Sequence, residues 1–206
     1  MNETTQTATP ASGAEIFLSA LSARGVDYVF GNAGTDFAPI IEAFSNAPAS
    51  GRTMPVPVTV PHENVAVCMA QGVYLATGRA QAVILHVNVG TANAICGLIN
   101  ASRERTPVFL AAGRTPVLED GMTGARNAFI HWGQEMFDQA AMVREFVKWD
   151  YELRYPEQAA AAVDRALAVA MSEPKGPIYM TLPREVLSAP ATGPVPTPAT
   201  PASPAP

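Results

Sequence analysis

The run Gln81–Val87 is apolar on both faces, and this feature most limits the folds that the chain can adopt. Such a strand suits a parallel sheet that is covered by helices on each side. Other short apolar runs alternate with helical patterns, at residues 27–31, 56–60, 107–112, 145–149 and 176–183. This alternation is typical of βαβ units with right-handed crossovers. We therefore predict an α/β fold with a doubly wound, mainly parallel sheet of about six strands and helices on both faces.

One apolar run passes directly into a helix. Pro61 ends the run 56–60, and Glu63 stands on the opening turn of the predicted helix. A buried stripe is predicted from the residues that recur at helical spacing, namely Val65, Met69, Gly72 and Leu75. This arrangement places Glu63 near the rim where open α/β sheets bind ligands.

The composition excludes several kinds of partner. Hydrophobic residues make up 48% and charged residues 15% of the 206 residues, and the formal net charge is −5. Because no Lys/Arg cluster is present, we expect neither nucleic acid nor a membrane as a partner. No secretory leader or bilayer-length apolar run is visible, so a cytoplasmic location is expected. Cys68 and Cys96 lie in apolar helical patterns and predict buried, reduced thiols.

Composition also divides the chain into three parts. Residues 1–12 are predicted to be a flexible leader. Residues 13–188 form the predicted folded domain, which opens with a capping box at Ser12 and Glu15. Residues 189–206 are almost only Pro, Ala, Thr, Ser and Gly. Such a segment cannot form a packed core, and it predicts a disordered linker or tail.

Three predicted loops follow strands and precede helices, at residues 31–35, 61–63 and 86–91. In a parallel sheet they share one rim, to which they bring the Thr35 hydroxyl, the Glu63 carboxylate and the His86 imidazole. Each group also has a purely structural interpretation. Thr35 suits a helix N-cap, and Glu63 suits the positive end of a helix dipole. His86 suits the end of a strand, where its ring can hydrogen-bond a backbone group.

Several familiar motifs are absent from the sequence. Gly31-Asn32-Ala33-Gly34 lacks the third spaced glycine and the downstream acidic residue of a dinucleotide fingerprint. There is no phosphate-binding Walker sequence and no Gly-x-Ser-x-Gly elbow. The histidines, at positions 62, 86 and 131, show no metal-ligand spacing. No metal site is therefore predicted within this chain.

The span from about Ala14 to Leu187 resembles the N-terminal, pyrimidine-binding domain of thiamine-diphosphate enzymes. The resemblance lies in an ordered set of segments: Val29–Thr35, His62-Glu63, Ala70–Gly78, Gly90–Ala94, Gly97-Leu98, Pro107 and Gly176–Tyr179. Within that superfamily, the sequence is most similar to the benzoylformate-decarboxylase and acetolactate-synthase group.

The resemblance implies a role for each residue of the rim. Glu63 is expected to hydrogen-bond N1′ of the cofactor's aminopyrimidine, His86 to relay protons at the reacting carbon, and Thr35 to contact the substrate carboxylate. Cofactor contacts are also implied for Gly34, Asn88, Gly90, Thr91 and Asn93. For Asn88, Gly90 and Thr91 the structural alternative is ordinary turn chemistry. Two departures from the family pattern, Ala33 and Asn88, leave the identity of the substrate open.

The resemblance also implies a second half of the active site. Enzymes of this group bind the diphosphate and Mg²⁺ through a separate domain that carries Gly-Asp-Gly and a distant Asn, and the 206 residues contain no such element. We therefore expect a diphosphate-binding domain or subunit as partner, Mg²⁺ in that half, and a homo- or hetero-oligomer. The isolated chain is expected to be inactive and to bind thiamine diphosphate weakly.

The predicted function is decarboxylation or carboligation of 2-oxo acids, in the manner of benzoylformate decarboxylase. One alternative is an acetolactate-synthase-like transferase fragment. A second is a non-catalytic association module that kept the fold. A third is a truncated product without function.

Overall fold

The structure is a computed structural model, and it describes residues 10–192. Within these residues, six strands form one sheet in the spatial order β2-β1-β3-β4-β6-β5, and every neighbouring pair is parallel. The strands are β1 Tyr28–Asn32, β2 Val56–Thr59, β3 Gln81–Leu85, β4 Val108–Arg114, β5 Asp150–Glu152 and β6 Ile178–Pro183. The predicted doubly wound parallel sheet is confirmed.

Seven α-helices surround the sheet in the described part of the chain. They are α1 Gly13–Ala23, α2 Ala38–Ser50, α3 Glu63–Thr77, α4 Val87–Arg103, α5 Ile130–Gly133, α6 Ala159–Met171 and α7 Arg184–Ser188. Short 3₁₀ turns lie at Thr35–Phe37, Ala140–Met142 and Pro156–Gln158. None of the helices between residues 10 and 192 is both long enough and apolar enough to cross a membrane.

The sheet separates two buried apolar clusters. Helices α1, α2 and α6 cover one face and contact Ile84 and Phe109 of the sheet. Helices α3 and α4 cover the other face and contact Val83 and Leu110. Because successive side chains of a strand point to opposite faces, Val83 and Ile84 serve different clusters. This two-sided burial explains why all five residues of β3 are buried, as its apolar run predicted.

Helix α4 begins earlier than the sequence pattern indicated. It starts at Val87, directly after His86, so that residues 88–91 form its first turn instead of a loop. Val87 has φ = 34°, which is an unusual backbone conformation for a β-branched residue. Strand β3 and helix α4 are separated by His86 alone.

The position of one edge strand also differs from the prediction. Strand β5, at the edge next to β6, occupies residues 150–152 instead of 145–149, and it pairs only with β6. Because an edge strand needs little apolar character, the apolar pattern was a poor guide to its position.

The predicted buried stripe of α3 lies at the surface. Val65, Met69 and Leu75 are 46%, 39% and 65% exposed, and Gly72 between them is also exposed. We call these four residues the α3 stripe. Cys68 of the same helix and Cys96 of α4 are exposed as well, so the prediction of buried thiols is wrong.

The apolar residues of α3 that are buried are small. Ala66, Val67 and Ala70 lie in the cluster shared with α4. A methyl group on Gly97 of α4 would lie 2.8 Å from Asn64 Oδ1 and 3.0 Å from the Cβ of Val67. The two helices therefore pack at close range through small side chains, and this leaves the larger apolar residues of α3 on the outside.

The two ends of the described chain pair with each other. Ser12 and Pro190 form an antiparallel bridge, with hydrogen bonds from the Gly13 N–H to the Ala189 carbonyl at 2.9 Å and from the Ala191 N–H to the Ala11 carbonyl at 2.8 Å. Residues 11–12 of the predicted leader and 189–191 of the predicted tail thus contact the folded domain. The remainder of these two segments, residues 1–9 and 193–206, lies outside the described residues.

Candidate active site

The order in which strands are added to the sheet changes direction between β1 and β3. Along the chain, β2 is placed on one side of β1, and β3 is then placed on the other side. Because all three strands are parallel, their carboxyl ends share one edge, and open α/β sheets bind ligands at such a reversal point. Asn32 ends β1, Glu63 follows β2, and His86 follows β3. The chain topology therefore brings the three predicted loops to one rim.

Glu63 is the first residue of α3 and is 7% exposed. The side-chain amide of Asn32 donates to Oε1 at 3.0 Å, and that of Asn93 donates to Oε2 at 3.1 Å. These amides come from β1 and α4, so three elements together fix the plane of the carboxyl group. Each carboxyl oxygen keeps a further lone pair that can accept a hydrogen bond from a ligand.

His86 lies between β3 and α4 and contacts Asp36 in the 3₁₀ turn 35–37. Its Nδ1 donates a hydrogen bond to Oδ1 of Asp36, and Nε2 lies 3.0 Å from the amide nitrogen of Gln134. The hydrogen bond to Asp36 raises the pKa of His86, burial opposes this effect, and the charges of Asp36 and Glu63 add to the rise. The imidazole is therefore suited to exchange a proton near neutral pH.

Two glycines provide the space for this pair. A Cβ at Gly34 would overlap the ring of His86, and a Cβ at Gly113 would overlap the carboxylate of Asp36. Gly34, for which a cofactor contact was predicted, thus lies directly against His86. Thr35 is the next residue; it is exposed and does not cap the turn, since Gly34 occupies the N-cap position.

The predicted residues of α4 have different environments. Asn93 contacts Glu63, as described above, whereas Gly90 is buried against Leu85. The Thr91 hydroxyl is fully buried, donates to the Val87 carbonyl at 2.9 Å and lies 2.7 Å from the Tyr179 hydroxyl. This position favours a role for Thr91 in the core.

Among the side-chain oxygens near these elements that have no partner in the described residues, two lie beside His86 in the sequence or in space. Oδ1 of Asn88, in the first turn of α4, is buried and accepts no hydrogen bond. Oε1 of Gln134 is likewise buried without a partner. Both oxygens are therefore available to a donor group that enters the site.

Three residues of the site were not singled out from the sequence. Asn32 was noted only as part of a glycine-rich loop, and Asp36 follows Thr35 directly, so both stood within a segment that was already of interest. Gln134 lies in an irregular region, and no local pattern connects it to His86. In the described part of the chain, no three His, Cys, Asp or Glu side chains are placed to hold a metal ion.

The fold and this site define the class of the protein: an α/β domain with a cluster of buried polar side chains at the reversal point of a parallel sheet. The family model described as "Thiamine pyrophosphate enzyme, N-terminal TPP binding domain" matches residues 11–142. The chain belongs to this family, and the resemblance drawn from the sequence is confirmed.

Relatives and solved structures agree with this assignment. Benzoylformate decarboxylase of Pseudomonas aeruginosa is 29% identical over 171 residues, which is 83% of this chain and 30% of that protein. The mitochondrial acetolactate synthase catalytic subunit of Saccharomyces cerevisiae is 26% identical over 186 residues, which is 90% of this chain and 25% of that protein.

A solved structure supports the same conclusion. The thiamine diphosphate-dependent 4-hydroxybenzoylformate decarboxylase of Rhodococcus jostii RHA1 is 27% identical and superimposes with a TM-score of 0.72. The match covers 89% of this chain and 32% of that one. The chain thus spans only 25% to 32% of the length of these three proteins.

Proposed function

We propose that this chain is the pyrimidine-binding half of a thiamine-diphosphate-dependent enzyme that decarboxylates or ligates 2-oxo acids. The observation that carries the proposal is the environment of Glu63. It is a buried carboxyl group at the reversal point of the sheet, oriented by two amides, with acceptor capacity left on both oxygens.

These residues fit an aminopyrimidine. A ring nitrogen that shares a proton with a carboxyl group needs that group to be held in place and shielded from water, and Glu63 meets both conditions. When bound, thiamine diphosphate supplies the electron sink for the reaction. The part of this chain is to bind the pyrimidine ring and to hold a proton between Glu63 and N1′.

His86 has a separate task in this proposal. Its Nε2 holds or moves a proton on the substrate or product, and Thr35, exposed beside Asp36, contacts the substrate carboxylate. Gly34, Asn88, Gly90, Thr91 and Asn93 shape the pyrimidine side of the site. Asn93 acts there directly through Glu63, whereas Thr91 acts through the packing of α4.

The diphosphate and Mg²⁺ are bound by a partner domain or subunit in this proposal. Two observations support this division. Within residues 10–192 no three His, Cys, Asp or Glu side chains are grouped around a common point, and the relatives are three to four times as long as the matched region. The folded unit contributed by this chain is residues 13–188 with its paired ends.

An acetolactate-synthase-like transferase is the second candidate function. The similarity over 186 residues to the yeast acetolactate synthase catalytic subunit favours it. His86 favours the decarboxylase instead, because the resemblance associates a histidine at this position with benzoylformate decarboxylases. A non-catalytic module has less support, since Glu63 and His86 both have the partners that proton transfer requires.

The proposal can be tested on the chain itself with thiamine, which carries the pyrimidine without the diphosphate. Adding thiamine to the isotope-labelled chain should shift the side-chain amide signals of Asn32 and Asn93 in NMR spectra, because both amides bond to Glu63. Glu63→Gln should weaken binding by about tenfold or more, the scale of a lost charge-assisted hydrogen bond.

The exposed Glu119 provides a matched control. Glu119→Gln removes the same charge from another part of the chain and should leave thiamine binding unchanged. The isolated thiazole half of thiamine should leave the two asparagine signals in place. Thiamine binding that is equally strong in Glu63→Gln, or that maps to another surface, contradicts the proposal.

A further inference from the structure

Asp36 is a buried acidic residue to which neither the sequence patterns nor the proposed function assign a task. It is 5% exposed, lies in the 3₁₀ turn 35–37, and accepts the Nδ1–H of His86 at Oδ1. Its other oxygen, Oδ2, lies 3.4 Å from the backbone nitrogen of Val87. One carboxylate thus contacts both the imidazole and the backbone of Val87, the first residue of α4.

The surroundings of Asp36 are shaped for this contact. Gly113 of β4 leaves open the space that the carboxylate fills, and Gly34 leaves open the space that the imidazole fills. Any larger side chain at either position would displace one member of the pair. Val87, with φ = 34°, holds a conformation that costs free energy for a β-branched residue, so its contact with Asp36 helps to fix a strained segment.

We propose that Asp36 is a positioning residue that holds the proton of His86 on Nδ1 and thereby makes Nε2 the nitrogen that exchanges protons in the active site. The proposal rests on the proposed function, since it specifies how the His86 imidazole is prepared for proton transfer. A carboxylate can only accept a hydrogen bond, so it selects one tautomer of the neutral ring and also stabilises the cation.

The partner of Nε2 is compatible with both protonation states. In the neutral ring Nε2 is an acceptor, and the amide of Gln134 offers its N–H₂ group at 3.0 Å. In the cation Nε2 is a donor, and the same amide can turn over to offer Oε1, which is buried without a partner among the described residues. Gln134 can therefore hydrogen-bond Nε2 in both protonation states by rotating its side-chain amide.

The charges that face this ring come from two elements. Asp36 in the 3₁₀ turn and Glu63 in α3 both favour the imidazolium form, and burial opposes it. His131 is also influenced by Asp36, but burial and the nearby Arg126 and Arg184 lower the pKa of His131. Protonated His86 and neutral His131 are thus expected together over a range of pH near neutrality.

NMR of the full 206-residue chain, with isotope-labelled histidine and without cofactor, tests the proposal. In the wild-type chain, the ring nitrogens of His86 should show a protonated Nδ1 and an unprotonated Nε2 in the neutral form. The midpoint of its titration should lie above the ordinary value of about 6.5. Asp36→Asn should lower this midpoint by about 1 pH unit or more, because the opposite charge beside the ring is lost.

His86→Asn assigns the His86 signals, since the chain has only three histidines. Asp120→Asn removes one charge from an exposed position and should leave the titration of His86 unchanged. A His86 ring that titrates at or below the ordinary value, or that carries its neutral proton on Nε2, overturns the proposal in the wild-type chain alone. An unchanged midpoint in folded Asp36→Asn overturns it equally.

The result is independent of the proposed function. The histidine signals report on Asp36 whether or not the chain binds thiamine. A chain in which Asp36 controls His86 but thiamine does not bind would retain this inference and lose the function. A chain that binds thiamine at Glu63 but shows no coupling between Asp36 and His86 would retain the proposed function and lose this inference.

Discussion

Glu63 and His86 lie at the same edge of the sheet, but their hydrogen-bond partners differ in charge. Glu63 is held by two neutral amides, which orient it and leave lone pairs free for a ligand. His86 is held by a carboxylate, which raises the pKa of its ring. The first arrangement suits a group that keeps one proton shared with a bound ring. The second suits a group that repeatedly gives up and regains a proton near neutral pH.

We predict that substitutions of these two residues affect different steps in the complete enzyme. Glu63→Gln keeps the shape of the side chain but cannot exchange a proton with N1′. It should slow hydrogen–deuterium exchange at C2 of the thiazolium and turnover alike, by about 10²–10⁴-fold, the usual effect of a lost acid or base. His86→Ala should slow turnover on that scale and leave C2 exchange within a few-fold of wild type.

Both quantities can be measured on the same sample, by NMR for C2 exchange and by product formation for turnover. Exchange at the wild-type rate in Glu63→Gln would show that the role assigned to Glu63 is wrong. Normal turnover in His86→Ala would make the imidazole a structural group and would favour the transferase over the decarboxylase.

At this scale the sequence indicated which candidate side chains lie at the rim better than which residues contact them. Glu63 and His86 could be assigned to the rim because each follows an apolar strand, and a parallel sheet brings such loops together. Asp36 and Gln134 could not be linked to His86, because 50 and 48 residues separate them along the chain and no spacing rule connects such positions. Only the folded backbone shows that two glycines make room for the Asp36–His86 pair.

At the scale of elements, the contact between α3 and α4 determines the relative position of two residues of the site. Helix α3 carries Glu63 at its first residue, and α4 carries Asn93, which orients that carboxyl group. The distance between the two helices is set by Gly97, whose missing side chain lets Val67 and Asn64 approach. A change in this packing should therefore reduce both the stability of the domain and the precision of the site.

We predict opposite effects on stability for two glycine-to-alanine substitutions in these helices. Gly97→Ala adds a methyl group 2.8 Å from Asn64 Oδ1 and 3.0 Å from the Cβ of Val67, and should cost about 1–3 kcal/mol through overpacking. Gly72→Ala meets no atom within 4 Å and should stabilise the domain by up to about 1 kcal/mol, because alanine favours a helix.

Urea unfolding followed by circular dichroism measures both free energies. Each substitution adds one methyl group to a helix interior, so the gain in helix propensity is common to both. Their difference isolates the cost of packing. Equal stabilisation by the two substitutions would contradict the close approach of α3 and α4.

The helix pair also shows why some elements were predicted incorrectly. Helical spacing identifies an apolar face but not what covers it, and the α3 stripe was assigned to the core of its own domain. The apolar residues of the buried face are alanine and valine, whose small apolar area gives a weaker signal than Met69 or Leu75. The start of α4 was misplaced for a related reason, since the backbone of Val87 cannot be inferred from a residue type that rarely adopts it.

At the scale of the whole molecule, the α3 stripe is a surface without a partner in the described part of the chain. Met69, Leu75 and Val65 are exposed on α3, and Val89 is exposed on the neighbouring helix α4. Contiguous exposed apolar residues of this kind mark association surfaces in folded proteins. The stripe begins two residues after Glu63, so a subunit bound there would lie beside the proposed cofactor site.

We predict that the chain associates through this surface, either with itself or with the diphosphate-binding half. Met69→Lys and Leu75→Lys each place a charge among apolar residues and should weaken self-association at least about tenfold, because the desolvation of a buried lysine opposes binding. Val117→Lys is the matched control, since Val117 is 53% exposed, a value between those of Met69 and Leu75, but lies in the irregular segment after β4. Sedimentation equilibrium over a range of concentrations gives the dissociation constant of each variant.

A wild-type chain that stays monomeric alone should form a complex with the added diphosphate-binding half. The two lysine substitutions should then weaken that complex, while Val117→Lys should not. If the chain is monomeric in both experiments, or if all three substitutions act alike, the α3 stripe is not the association surface.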